Sequence, residues 1–305
     1  MNDEPDEGMS RKQAEQRVSE IRLMALAEIA TKNTGIDADR LYFELHDIKR
    51  RPLSSAWLEA SVMLAIIRRA RPARVFGWLG KLRDRSNGEK EKVQFDIFEK
   101  RLRDYLHPQV LTNHGYGDAT FAGLDHASIW ETIRTHISAL SDEKYDVFLN
   151  SGTLLGVIRD KRLIDHDDDV DLAVLLKADN EADAAAEWKA LRGVLEEADL
   201  FERSVQDQPA IYKLRPAGKI EFDLFPAWIE AGKVYVYPHT HGTLTAADVL
   251  PLGTCDVTGQ PIPRAPDKML EINYGPGWRA PDPLFKFPWE AANTAFAGFL
   301  ERLNR

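Results

Sequence analysis

Five carboxylates, Asp165, Asp167, Asp168, Asp169 and Asp171, fall within seven consecutive positions of this chain. The last two open an apolar run whose β-branched and leucine residues predict a strand over 169–176. Side chains alternate along a strand, so Asp169 and Asp171 project from one face, about 6.5–7 Å apart. Like charges at that spacing repel unless a cation neutralises them. Hard divalent ions such as Mg²⁺ take oxygen ligands of this kind. The plain alternative is a solvated acidic loop, the usual fate of an acidic run. A calcium loop of the EF-hand type is excluded, because Leu172 stands where that loop needs glycine and Ala178 where it needs a bidentate glutamate.

Asp223 is a third candidate. It lies in IEFDLFP, where Phe222 and Leu224 face one way and the carboxylate the other. A lone acid in so apolar a strand is costly without a partner. If this strand pairs beside the first, Asp169, Asp171 and Asp223 converge. Upstream, Gly152-Thr153 lies between a strand at 145–149 and a short helix at 153–161. Backbone N–H groups at a helix start attract anions, and glycine lets a phosphate approach. Arg159, Lys161 and Arg162 follow, either to meet phosphate or to face solvent. No Gly-Lys-Ser/Thr and no G-x-G-x-x-G is present, so the turn is neither a Walker A loop nor a dinucleotide fingerprint. Carboxylates for metal and a helix start for phosphate describe a phosphoryl-transfer site, with Asp223 as the acceptor of the nucleophile's proton.

Around this site the periodicity predicts an α+β domain with a mixed sheet over 107–305. Helices are predicted at 127–141 and 181–199, and strands at 211–214, 219–228 and 233–237 form a meander. The Pro- and Gly-rich tail from Ala247 ends in one helix over 290–303. Residues 10–106 read as all-helical: 12–32, 55–69 opened by Ser54 or Ser55, and 89–106 carry helical spacing. Pro72 breaks this region, and VFGWLGKLR follows as a short amphipathic segment. Residues 1–9 read as a disordered acidic tail, and no strand is expected before about residue 145.

Charge and composition limit the partners. The net charge of −9 argues against non-specific nucleic-acid binding. Residues 49–85 depart from it, with ten basic side chains against Glu59 and Asp84, +8 locally and −17 for the remainder. That segment has two readings: a surface for an anionic glycan acceptor or the inner membrane face, with Trp78 at the interface, or arginines paired with the chain's own acids. The single Cys255 excludes an internal disulfide and a cysteine-rich zinc site, and a cytoplasmic location is expected. No secretory signal is expected after the acidic MNDEPDEG. The longest apolar run, Val62–Ile67, falls far short of the roughly 18–20 residues of a membrane span.

The segment GTLLGVIRDKRLIDHDDDVDLAV resembles the signature of the LicD/fukutin family, a branch of the DNA polymerase beta-like nucleotidyltransferase superfamily. Phe222-Asp223-Leu224, continuing into Phe225-Pro226, is similar to the second superfamily element. Pro261-Ile262-Pro263, Pro266-Asp267, Leu270, Tyr274-Gly275, Trp278 and Pro281 resemble a third, so the likeness spans about residues 127–285. One departure is Asp165-His166, where members commonly have Pro-Trp. The resemblance implies a nucleotidyltransferase-like fold over 107–305. It also implies transfer of a phospho-substituent, phosphocholine or a polyol phosphate such as ribitol or glycerol phosphate, from a CDP-linked donor to a sugar hydroxyl of a cell-surface glycan, as in capsule, lipopolysaccharide or teichoic acid synthesis. Transfer of the nucleotide itself is the alternative.

Carried over by resemblance, Asp169, Asp171 and Asp223 are the catalytic carboxylates, and they hold the metal together with Asp167. Gly152, Thr153 and Arg159 meet the donor phosphates. The expected cofactor is Mg²⁺ or Mn²⁺, as two ions. Tyr274 is read as packing. For a choline head, Trp228, Tyr235, Tyr237, Trp278 and Trp289 are available; for a polyol, Asn150, His166, His239 and His241 are. Neither set decides the donor, and the oligomeric state stays open.

Overall fold

The computed structural model describes residues 9–112, 115–117, 120–203, 209–282, 284–285 and 287–305. The tail expected over 1–9 therefore lies, apart from Met9, outside the described residues. The chain divides into two compact units, Met1–Asp118 with Leu284–Lys286, and Ala119–Pro283 with Phe287–Arg305.

The first unit is helical: α1 (Arg11–Thr31), α2 (Ala38–Asp47), α3 (Ser55–Ile67), α4 (Pro72–Arg85) and α5 (Glu89–Leu106). Ser10 and Gln13 cap α1 reciprocally, and the Ser54 hydroxyl accepts from the Trp57 N–H to start α3. Helix α3 is apolar on nearly every side, with Trp57, Leu58 and all of Ala60–Ile66 buried, so it forms the core of the unit. Pro72 does not merely break the chain: it is the first residue of α4, where its missing N–H costs nothing. Trp78 is buried and packs edge-on to Trp57 at 5.9 Å, so it is core and not an interfacial anchor. Some of the basic residues do pair internally, as Arg68 with Asp39 at 2.6 Å. A two-residue ladder of β1 (Val110–Leu111) with β2 (Tyr116–Gly117) is an addition that no alternation foretells.

The second unit is built on a mixed sheet. Its elements run α6 (His126–Asp142), β3 (Asp146–Leu149), α7 (Ser151–Leu155), β4 (Asp169–Leu175), α8 (Glu181–Glu197), β5 (Tyr212–Ala217), β6 (Ile220–Glu230), β7 (Lys233–Val236) and β8 (Thr240–Thr245). There follow α9 (Ala246–Val249), β9 (Gly253–Thr254), β10 (Pro261–Ile262), α10 (Pro266–Tyr274), α11 (Trp289–Ala295) and α12 (Ala297–Leu303). Among the described residues the main sheet has six strands in the order β3-β4-β6-β7-β8, with β5 also on β6. Strands β4 and β6 are parallel and the other pairs antiparallel, so the sheet is α+β and mixed as expected. A parallel pair needs a crossover, which the alanine-rich α8 supplies.

Two expectations change at the end of the chain. The helix expected over 290–303 is two, because Phe296 leaves helical geometry at φ −95°, ψ 18° and drops fully into the core. The Pro-rich tail also contains α10, which starts at Pro266 for the same reason as α4. The aromatic residues weighed for a choline head are mostly core. Trp228 stacks on its cross-strand partner Tyr235 at 5.1 Å and on Phe299 at 5.0 Å.

Candidate active site

Strand β4 presents Asp169 and Asp171 on one face because its intervening residues, Val170 and Leu172, are fully buried on the other. The parallel register sets Asp169 opposite Glu221 and Asp171 opposite Asp223. The carboxylates read from two separate motifs thus become neighbours on one face. Asp171 is 7% exposed and Asp223 6%. On the far side of β6, the antiparallel β5 sets Lys213 opposite Asp223, and the Lys213 Nζ lies 2.5 Å from Asp223 Oδ1 and 2.7 Å from Glu221 Oε2.

The loop before β4 folds Asp167 and Asp168 toward the same place. The Phe121 and Ala122 N–H groups donate to the Asp167 and Asp165 carbonyls at 3.0 and 3.1 Å, and the Asp167 N–H to the Ile164 carbonyl at 2.9 Å. One carboxylate oxygen each from Asp167, Asp168 and Asp169 then lies within 4.8 Å of the others. This set is all oxygen and all anionic, the chemistry that a hard divalent cation takes. Its electrostatics point the same way. Burial first, then the Asp169 and Asp168 charges, hold the Asp167 carboxyl well above the usual carboxylate range. Burial, with Asp169, Asp167 and Asp223 around it, does the same to Asp171. A cation removes that repulsion.

The strand–helix turn serves the cluster directly. The Gly152 N–H donates to Asp171 Oδ2 at 2.8 Å, and the Asp171 N–H donates to Thr153 Oγ1 at 2.9 Å. Thr153 is buried. Gly152 and Thr153, expected to meet phosphate, here fix the position of a carboxylate. Gly152 is needed for space: a Cβ there would lie 2.6 Å from Asp167 Oδ2 and 3.2 Å from Asp171 Oδ2. Helix α7 continues as a π-helical turn over Gly156–Asp160, a distortion that recurs at functional sites. Arg159 on that turn makes a two-pronged contact with Asp160, at 2.8 and 2.7 Å.

Other groups border the same place. The Tyr274 phenol is pushed well above its usual range by burial and by Asp171, Asp167 and Asp169, with Arg159 opposing. Tyr274 packs against the core, as read, and lies within electrostatic reach of the cluster. Ser151 adopts a left-handed φ of 42°, and its Oγ lies 3.3 Å from His239 Nδ1. Burial lowers His239 to about 3, so its ring is neutral. Asn150 is fully buried, and neither its amide nitrogen nor its oxygen has a partner among the described residues. His166 is exposed at the turn before the cluster, and His241 packs on Tyr235 and Phe296.

Sequence reasoning missed Asp168 as a member of the oxygen set and Lys213 altogether. The signal for Lys213 was present, since Tyr212 and Leu214 are apolar and leave the lysine on the opposite face of the strand.

Residues 144–266 match the family model described as LicD/FKTN/FKRP, nucleotidyltransferase domain. The matched span contains all the carboxylates above, from β3 to the start of α10. Comparison with curated proteins finds no match.

Proposed function

Residues 144–266 are a nucleotidyltransferase domain of the LicD/FKTN/FKRP family, a transferase fold, and from that premise we propose that the chain transfers a phospho-substituent from a CDP-linked donor to a sugar hydroxyl of a glycan. Phosphocholine and polyol phosphates such as ribitol or glycerol phosphate are the candidate substituents. In this reading the acceptor oxygen forms a bond to the phosphorus that carries the substituent. The bond from that phosphorus to the bridging oxygen breaks, and CMP leaves. The hydroxyl proton passes to a carboxylate, Asp223 on the strand beside the cluster. Asp167, Asp168, Asp169 and Asp171 would hold Mg²⁺ or Mn²⁺, which when bound neutralises the diphosphate and polarises the reacting phosphorus.

The observation that carries this reading is the juxtaposition of Asp171 with Asp223 in one parallel register, beside the three-carboxylate group. Gly152 and Thr153 act by fixing Asp171, and Arg159 by exchanging Asp160 for a donor phosphate. The basic segment 49–85 of the first unit, +8 over its length, is the surface proposed for an anionic acceptor. With Trp78 in the core, we assign that surface to the acceptor and not to a membrane. Among the described residues no helix is long and apolar enough to cross a bilayer, and a cytoplasmic site of action is part of the proposal.

The test is a donor screen with CDP-choline, CDP-ribitol and CDP-glycerol, scoring CMP release with and without Mg²⁺. Metal-dependent CMP release with one donor supports the reading. Release from none, in the presence of a glycan acceptor, overturns it. The name of the matched domain favours one further reading, transfer of the nucleotide itself. Product mass separates the two, because nucleotide transfer leaves CMP attached to the product.

A further inference from the structure

We infer that Lys213 is a built-in cation of the site, so that the domain uses one divalent ion and one ammonium where the sequence suggested two ions. The inference rests on the metal-binding reading of the carboxylates and assigns Lys213 as a positioning residue for Asp223.

The carboxylates divide into two groups. Asp167, Asp168 and Asp169 bring oxygens within 4.8 Å of one another, the only such set of three among the described residues. Asp223 is not in that set. Its Oδ1 is 2.5 Å from the Lys213 Nζ, which also reaches Glu221 Oε2 at 2.7 Å. Asp171 lies between the groups, with Oδ2 held by the Gly152 N–H at 2.8 Å.

The lysine is placed by the sheet and not by chance of a long surface side chain. Strand register puts it directly across from Asp223, and its side chain is only 18% exposed. Tyr212 and Leu214, its neighbours on β5, are buried and fix the strand. Burial disfavours the ammonium, but Asp223 and Glu221 outweigh it and hold Lys213 above its ordinary range, so the charge is present. The arginines of the preceding turn are engaged elsewhere, Arg159 with Asp160 and Arg162 with Asp165. A second divalent ion on Asp223 would have to sit against this ammonium, with like charges a few ångströms apart. The lysine therefore occupies the side of Asp223 that a second metal ion would need, and excludes that ion from it.

The experiment is Mn²⁺ binding to the full chain, counted by calorimetry and by the loss of the free-ion electron paramagnetic resonance signal. The wild type is expected to take up one equivalent. Lys213→Met is expected to take up two, and Lys213→Arg, which keeps the charge, to return to one. Thermal melting of each variant reports whether the unit is folded. Two equivalents in the wild type overturn the inference and leave the proposed function standing. One equivalent in a folded Lys213→Met also overturns it. No binding at all to the wild type removes the metal reading itself, and the inference with it. If Lys213→Met fails to fold, Lys213→Gln carries the same two-equivalent expectation, and the wild-type count decides alone if that variant fails too.

Discussion

Gly152→Ala separates the geometry of the carboxylates from the stability of the fold. Gly152 is the second residue of α7, and its φ lies outside the left-handed region. Alanine is therefore tolerated by the backbone and gains about 0.5–1 kcal/mol of helix propensity. Against this, the new Cβ would stand 2.6 Å from Asp167 Oδ2. An unstrained carbon–oxygen contact is about 3.4 Å, so the carboxylate must retreat by roughly 0.8 Å. The obstructing atom is the end of a side chain and can rotate away, which keeps the structural cost small. Stability should change by less than about 1 kcal/mol, a shift of no more than about 4 °C in Tm for a domain of this size. Function should not be spared. A ligand displaced by most of an ångström weakens metal binding and turnover, each by about 10–100-fold. Mn²⁺ titration, CMP release and a melting curve on the same preparation measure all three. Metal affinity and turnover both within twofold of wild type, in a folded Gly152→Ala, would refute the packing argument for this glycine.

Gly156→Ala is expected to behave in the opposite way, because its Cβ would meet backbone, the Arg162 carbonyl at 2.6 Å and the Ile164 nitrogen at 3.1 Å. Neither can swing aside, so a loss of about 2–3 kcal/mol is expected, read as a lower urea midpoint. His239 makes stability depend on pH. Its folded value is lowered to about 3 by burial, from an ordinary 6.5. Stability is complete above pH 6.5 and falls between 6.5 and 3, where only the unfolded chain takes up the proton. The loss is about 2 kcal/mol at pH 5. His239→Gln should flatten that part of the urea-midpoint profile, and an unchanged slope would discount burial as the cause. Phe299→Ala should cost about 3–5 kcal/mol of stability, because the ring is fully buried between Trp228 and Tyr237; a cost under 1 kcal/mol would show that α12 is dispensable to the core.

Much of the site was legible because it lies on strands. Asp169, Asp171 and Asp223 stand among apolar residues at a period of two, which sets their face before any partner is known. Their meeting was legible only as a condition, since β4 and β6 are separated by α8 and the pairing is non-local. Asp168 was missed because it lies in the loop before β4, where the backbone and not an alternation decides direction. Lys213 was missed because its meaning depends on the register between β5 and β6. At helix starts, proline at the first position was misleading: Pro72 was read as an interruption although it opens α4, and the helix that Pro266 opens was not predicted. The split at Phe296 has no sequence marker, because the residue is apolar and the break serves to bury it.

The carboxylates of the proposed site sit where β4 and β6 begin, since Asp169 is the first residue of β4 and Asp223 the fourth of β6. The opposite end of the two strands, with the turn at Ala231-Gly232 after β6, carries none of these carboxylates. The domain thus has one end that can diversify the chemistry and one that only closes the chain. The 161–168 segment, with His166 exposed in it, leads directly into the carboxylates. Insertions at the far connections leave the strand starts in place. Substitutions in the segments that lead into these strands therefore bear on the carboxylates, whereas those in the segments that leave them bear on the closing turns.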